Sequence, residues 1–211
     1  MRLYGYWRSS AAFRVRIALN WKGVAFEQGI TDLRRGEHRT LTYLDKNPQG
    51  LVPMLEDDGG VRLTQSLAII EALEETRPEP PLLPEGAAER AAVRATALYI
   101  ACEIHPLNNL RVLQHIKRAY GLDEAGVNAW YRHWIEQGFA RLEADLGRTA
   151  GRFCHGDMVT MADVCLVPQV ANARRYNCDL EAYPTIRRVE KACLDLPAFE
   201  RARPERQPDA A

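Results

Sequence analysis

Two hydroxyls, Ser9 and Ser10, stand directly before an apolar-periodic run that also carries Arg14 and Arg16, with Arg8 just ahead of them. A helix start exposes unpaired N–H groups and a partial positive charge. Hydroxyls and guanidiniums added there suit an anion. The plainer reading is a serine N-cap with surface arginines. Three more stretches carry possible chemistry. In "NPQGLVP" (47–53) a proline falls inside a strand-like run, as an edge-strand proline or as a cis Val52–Pro53 bond. A cis bond there leaves the Val52 backbone able to pair with an extended peptide. In "TQS" (64–66) Gln65 and Ser66, with Ser66 as N-cap, offer an amide and a hydroxyl to a carboxylate. In "CEIHPLNNLR" (102–111) Pro106 interrupts a helix, which tips His105, Asn109 and Arg111 toward a cleft. Cys102 and His105 lie three apart but have no second pair at metal-ligand spacing, so no metal is expected.

The elements around these residues divide the chain. "MRLYGYW" alternates as a strand, and Phe13, Ile17 and Trp21 recur at helical spacing. "VAFEQGI" (24–30) reads as a second strand, and residues 51–65 as a hairpin around Asp58-Gly59-Gly60. "SLAIIEALEE" (66–75) reads as a helix. The predicted order is β-α-β, an irregular polar stretch, then β-β-α. A small α/β domain over 1–78, a proline-rich linker over 79–86 and an all-helical domain over 87–211 follow. "TMAD" (160–163) has the capping-box pattern and is assigned to folding.

Composition narrows the function classes. The 211 residues hold 28 Lys+Arg against 28 Asp+Glu, so no broad electrostatic footprint for nucleic acid or an anionic membrane is expected. Anion binding must come from local clustering. No signal segment or membrane-length apolar run is read, and five widely spaced cysteines argue against a disulfide framework. A cytoplasmic protein is expected.

Together these segments resemble the zeta class of glutathione transferases, which includes maleylacetoacetate and maleylpyruvate isomerases. "WRSSAAFRVRIALNWKG", "NPQGLVPML", "TQSLAIIEALEE", "HPLNNLRVL", "MADVCLVPQVANARRY" and "DLEAYPTIRRV" carry the likeness, in order and over nearly the whole chain. The usual signature reads Ser-Ser-Cys, whereas this chain has Ala11 at the third position. The resemblance implies a thioredoxin-like α/β domain, an all-α domain, glutathione as cofactor and a homodimer. It implies cis–trans isomerisation of a maleyl keto-diacid, a small dicarboxylate. Ser9 or Ser10 would face the thiolate, with Ala11 beside them. Val52 would hold the cysteinyl part, Gln65 and Ser66 the γ-glutamyl carboxylate, and His38 and Gln49 the glycyl end. Glu103 would reach the γ-glutamyl ammonium, from the partner subunit of the dimer. Arg8, Arg111 and Arg175 would bind the substrate's charges, with His105 and Asn109 lining the cleft and Arg174 turned away. Two other readings stay open: a general transferase consuming glutathione on small electrophiles or α-haloacids, and a non-catalytic glutathione-binding protein.

Overall fold

Strands β1 (Arg2–Gly5) and β2 (Glu27–Ile30) run parallel. A parallel pair needs a crossover, and helix α1 (Ser10–Trp21) supplies it. The computed structural model describes residues 1–210. Its contacts divide into one unit of Met1–Pro81 with Asp195–Ala211 and a second of Leu82–Leu194.

In the first unit, β3 (Met54–Glu56) pairs antiparallel with β1, and β4 (Arg62–Thr64) with β3. The order is β2-β1-β3-β4. Tyr4 lies opposite Gly29, where an added Cβ would sit 2.6 Å from the Tyr4 ring, so only glycine fits there. Short helix α2 (Leu41–Leu44) lies between β2 and β3, and α3 (Ser66–Thr76) follows β4. Helix α1 forms because Ser9 caps it, its oxygen accepting the Ala12 N–H at 3.2 Å. The helix buries Phe13, Ile17, Ala18 and Leu19. Ser66, expected as an N-cap, is instead the first residue of α3, and Gln65 is the cap. Gln65 has φ +67°, a left-handed value that turns the chain from β4 into the helix.

The second unit is helical. Helix α4 (Ala87–Leu98) passes into a π turn (Tyr99–Ile104) and a 3-10 turn (His105–Asn108) before α5 (Leu110–Tyr120). The expected interruption at Pro106 is present. Long helix α6 (Glu124–Thr149) passes close beneath the π turn, where Gly138 leaves room for Ile104. An added Cβ would lie 2.5 Å from that side chain. Helix α7 (Met161–Arg175) is buried over most of its length, as an apolar helix at the centre of a bundle must be. Asp163 accepts the Thr160 N–H at 2.8 Å and closes the expected capping box. Helix α8 (Pro184–Leu194) ends the unit.

The chain then returns to the first unit. Helix α9 (Pro197–Ala202) and the residues after it group with residues 1–81, whereas the sequence placed them with the helical domain. The reason is a set of long-range polar bonds: Asn20 donates to the Ala198 carbonyl at 3.2 Å, and Arg16 to the Ala202 carbonyl at 3.0 Å. Among the described residues no helix is long and apolar enough to cross a membrane.

Candidate active site

The first unit gathers its polar residues at one end of the sheet. Because β1 and β3 are antiparallel with Tyr4 opposite Met54, the exit of β1 lies beside the entry of β3. Thr64 lies opposite Met54, which brings the α3 start to the same end. The helix starts of α1 and α3, and the Val52–Pro53 segment, therefore converge there.

At the α1 start Ser9 is half-buried and Ser10 is buried. The Ser9 oxygen already accepts the Ala12 N–H, so its own hydrogen is the one left to donate. Ala11 is half-buried and brings no thiol. The Val52–Pro53 bond is cis, the second of the two readings left open. Val52 lies outside the β1–β3 ladder and packs on Tyr4, Tyr43 and Met54. The Leu51 carbonyl just before it is held twice, by the Tyr43 hydroxyl at 2.6 Å and the Asn47 amide at 2.8 Å. Neither Tyr43 nor Asn47 was singled out in the sequence, because their role is visible only once the loop closes. Burial pushes the Tyr43 hydroxyl up to about 12, so it remains a donor at neutral pH.

At the α3 start the Gln65 amide donates to the Gln49 carbonyl oxygen at 2.7 Å, tying two expected ligand residues together. Gln49 in turn donates to the Thr64 hydroxyl at 3.4 Å. The Ser66 hydroxyl accepts from buried Arg14 at 3.4 Å. A guanidinium thus lies behind a helix N-terminus, and both favour an anion in front of it. Arg14 and Arg16 are buried side chains, not the surface arginines of the plainer reading. Arg8 is exposed, its guanidinium 4.3 Å from the Trp7 ring centre. His38 is buried with an unpartnered Nδ1, and burial, then Arg39, keeps its imidazole below 6.5. It is neutral at pH 7 and able to accept or donate one hydrogen bond.

In the second unit Glu103 is exposed on the π turn and His105 is half-buried on the 3-10 turn. Asn109 caps α5, its side chain accepting the Arg111 N–H at 3.2 Å. Arg111 itself is exposed in the first turn of α5. Tyr131 of α6 joins this region to the end of α7. Its carbonyl accepts from Asn108 at 3.3 Å, and its hydroxyl is hydrogen-bonded to Arg175. Tyr131 stacks on Tyr176 with ring centres 3.5 Å apart, and Arg175 lies 5.2 Å above the Tyr176 ring while donating to Asn172 at 3.0 Å. Arg174 has different partners: it makes a two-pronged contact with buried Glu190 of α8. The two adjacent arginines are therefore separated by their contacts, one joining α7 to α8 and the other resting on an aromatic shelf.

Comparison with known proteins places these features in context. Residues 3–81 match the family model for the N-terminal domain of glutathione S-transferases. The chain is 51% identical over 210 residues to a probable maleylacetoacetate isomerase of Vibrio cholerae, covering 99% of this chain and 97% of that one. It superposes with a TM-score of 0.97 and 49% identity on a holo maleylpyruvate isomerase described as a bacterial zeta-class glutathione S-transferase, covering 100% of both chains. A maleylacetoacetate isomerase of Methylobacterium extorquens, solved with malonate and glutathione bound, gives a TM-score of 0.97 and 45% identity, again covering 100% of both.

Proposed function

Because the chain belongs to the zeta class of the glutathione transferase family, we propose that it is a glutathione-dependent cis–trans isomerase of a maleyl keto-diacid, maleylacetoacetate or maleylpyruvate. The observation that carries this reading is Ser9 at the α1 start, half-open to solvent, with its oxygen engaged by the helix and its hydrogen left to donate.

The first unit fits glutathione on its own features. Ser9 and the α1 N-terminus suit a thiolate, and Ser10, buried as the first residue of α1, is the second candidate hydroxyl. Val52, outside the ladder, offers its backbone to the cysteinyl peptide. Gln65 and Ser66, backed by Arg14, suit the γ-glutamyl carboxylate, and the unusual φ of Gln65 is the kind of strain found at ligand sites. His38, with its unpartnered nitrogen, and Gln49 suit the glycyl end. When bound, glutathione supplies a thiolate whose reversible addition makes the substrate double bond a rotatable single bond, so it is returned and not consumed. On the second unit Arg175 and Arg111 suit the substrate's carboxylates and the negative charge that develops on the keto oxygen, and on the first unit Arg8 suits a carboxylate. Arg175 is oriented for this by Asn172 and the tyrosine shelf. His105 and Asn109 belong to the second unit as well, and His105 can share a proton with the keto oxygen.

Ala11 is compatible with this chemistry, since the reacting sulfur belongs to glutathione. A cytoplasmic homodimer completes the reading. Five free cysteines suit a reducing compartment, and Glu103, exposed on the π turn, suits contact with the partner's γ-glutamyl ammonium. The test uses excess cis keto-diacid with a trace of glutathione, with sedimentation equilibrium of the same preparation. The expected result is trans product far beyond the glutathione supplied, constant free thiol, and a two-chain mass. Product capped at the glutathione added, with loss of thiol, would mean conjugation instead.

A further inference from the structure

The turn that delivers Ser9 is held by the far end of the chain. Its frame is a β-turn closed by the Ser9 N–H on the Tyr6 carbonyl at 2.9 Å, with Trp7 and Arg8 at its centre. The Trp7 peptide groups are bonded on both sides by side chains. The Asp209 carboxylate accepts the Trp7 N–H at 2.9 Å, and the Arg16 guanidinium donates to the Trp7 carbonyl at 3.1 Å. Asp209 lies 202 residues along the chain from Trp7. Arg16 is fixed in turn by the Ala202 carbonyl at 3.0 Å. It stands seven residues after Ser9, two turns along α1 on the same face.

The tail has a second anchor. Buried Gln207 donates to the Arg201 and Arg203 carbonyls at 3.0 and 2.6 Å, and its own oxygen accepts from Gln28 of β2 at 2.7 Å. These bonds set the position of Asp209 against the turn. Burial lowers the Arg16 guanidinium to about 10, with Asp209 and Glu205 opposing that fall, so the group remains charged at neutral pH.

We propose that Asp209 and Arg16 are positioning residues that clamp the backbone on both sides of the Trp7 Cα and so set where the Ser9 hydroxyl and the α1 N-terminus point. The clamp rests on the reading of Ser9 as the thiolate donor, but its own geometry can be measured without glutathione. A buried, charged donor on one side and a carboxylate on the other give two charge-assisted bonds to the two peptide groups that flank the Trp7 Cα, more restraint than a turn hydrogen bond alone supplies. Small displacement at such a turn is costly to catalysis, because a hydroxyl moved by a fraction of an ångström loses its bond to the thiolate.

The experiment compares wild type with Asp209→Ala and Asp209→Asn, with Ser9→Ala alongside. Asparagine keeps an oxygen for the Trp7 N–H, so it separates the hydrogen bond from the charge. Amide hydrogen exchange is read without ligand, together with the thiol titration of bound glutathione, kcat and thermal stability. In Asp209→Ala, exchange over Trp7–Ser10 rises about tenfold or more. The bound thiol titrates about half a unit to one unit higher, and kcat at neutral pH falls about 3- to 10-fold. Asp209→Asn recovers most of each change. Unchanged exchange over Trp7–Ser10 in Asp209→Ala overturns the clamp. So does a lower melting temperature with no movement of the thiol titration, which would make the tail a staple for stability alone. If Ser9→Ala also leaves the thiol titration unmoved, the thiolate-donor reading fails and the clamp's link to catalysis goes with it, whereas a thiol shift in Ser9→Ala but not in Asp209→Ala defeats the clamp alone.

Discussion

Arg174 and Arg175 are adjacent, and their contacts give them opposite fates. Arg175 rests over Tyr176, bonded to Asn172 and the Tyr131 hydroxyl. Arg174 pairs with a Glu190 carboxylate that is itself buried. Arg175→Ala is expected to leave a substrate carboxylate without its guanidinium, at roughly 2–4 kcal/mol, or about 30- to 1000-fold in kcat/KM. Glutathione affinity should stay within about twofold, because Arg175 is assigned to the substrate and not to the tripeptide. The family likeness only turned Arg174 away from the substrate, and the structure shows that it has a partner of its own. Arg174→Ala leaves Glu190 buried and unpaired, at roughly 1–3 kcal/mol, moderated because the guanidinium is half in water. Its melting temperature should fall while kcat/KM below the transition is kept. Steady-state kinetics and thermal melts on both variants check the pair, and a kinetic loss confined to Arg174→Ala would reverse the assignment.

At the scale of elements, α7 carries Arg175 on its last turn and is held in place at its first. Asp163 accepts the N–H groups of Cys154 and Thr160, both at 2.8 Å, and the Thr160 hydroxyl at 2.9 Å. The Cys193 thiol of α8 approaches the same carboxylate at 3.8 Å. One side chain therefore satisfies the helix start and the loop before it. Asp163→Ala strands these buried donors and is expected to cost roughly 2–4 kcal/mol. That corresponds to a fall of about 4–15 °C in melting temperature. Because Asp163 touches nothing assigned to substrate, kcat measured well below the transition should stay close to wild type. Calorimetry with low-temperature kinetics tests this, and a collapse of kcat in fully folded protein would place Asp163 in the site's chemistry.

For the whole molecule, the return of residues 195–210 matters most. Phe199 is fully buried, and Ala198 and Ala202 are buried beside it on α9. Helix α9 grouped with the first unit means that this unit's core closes only after the rest of the chain has been made. Phe199→Ala should therefore cost as much as a central core residue, roughly 3–5 kcal/mol, or about 6–20 °C in melting temperature. A shift under about 2 °C would show that the tail is a loose appendage.

The sequence by itself determined what neighbouring residues can settle. The strand and helix order, the capping serine, the Asp58-Gly59-Gly60 turn, the break at Pro106 and the Thr160–Asp163 box each depend on a few adjacent side chains, and each is present. The family likeness is of the same kind, being a series of local motifs in order. Tertiary structure decided the rest, because it depends on partners far along the chain. Arg14 and Arg16 look alike in sequence, yet one contacts Ser66, 52 residues away, and the other Ala202, 186 away. Ser66 lost the N-cap position to Gln65 because β4 must turn sharply into α3. The last helix crossed the expected domain boundary because Arg16 and Asn20 gave its carbonyls donors, and a buried carbonyl must have one.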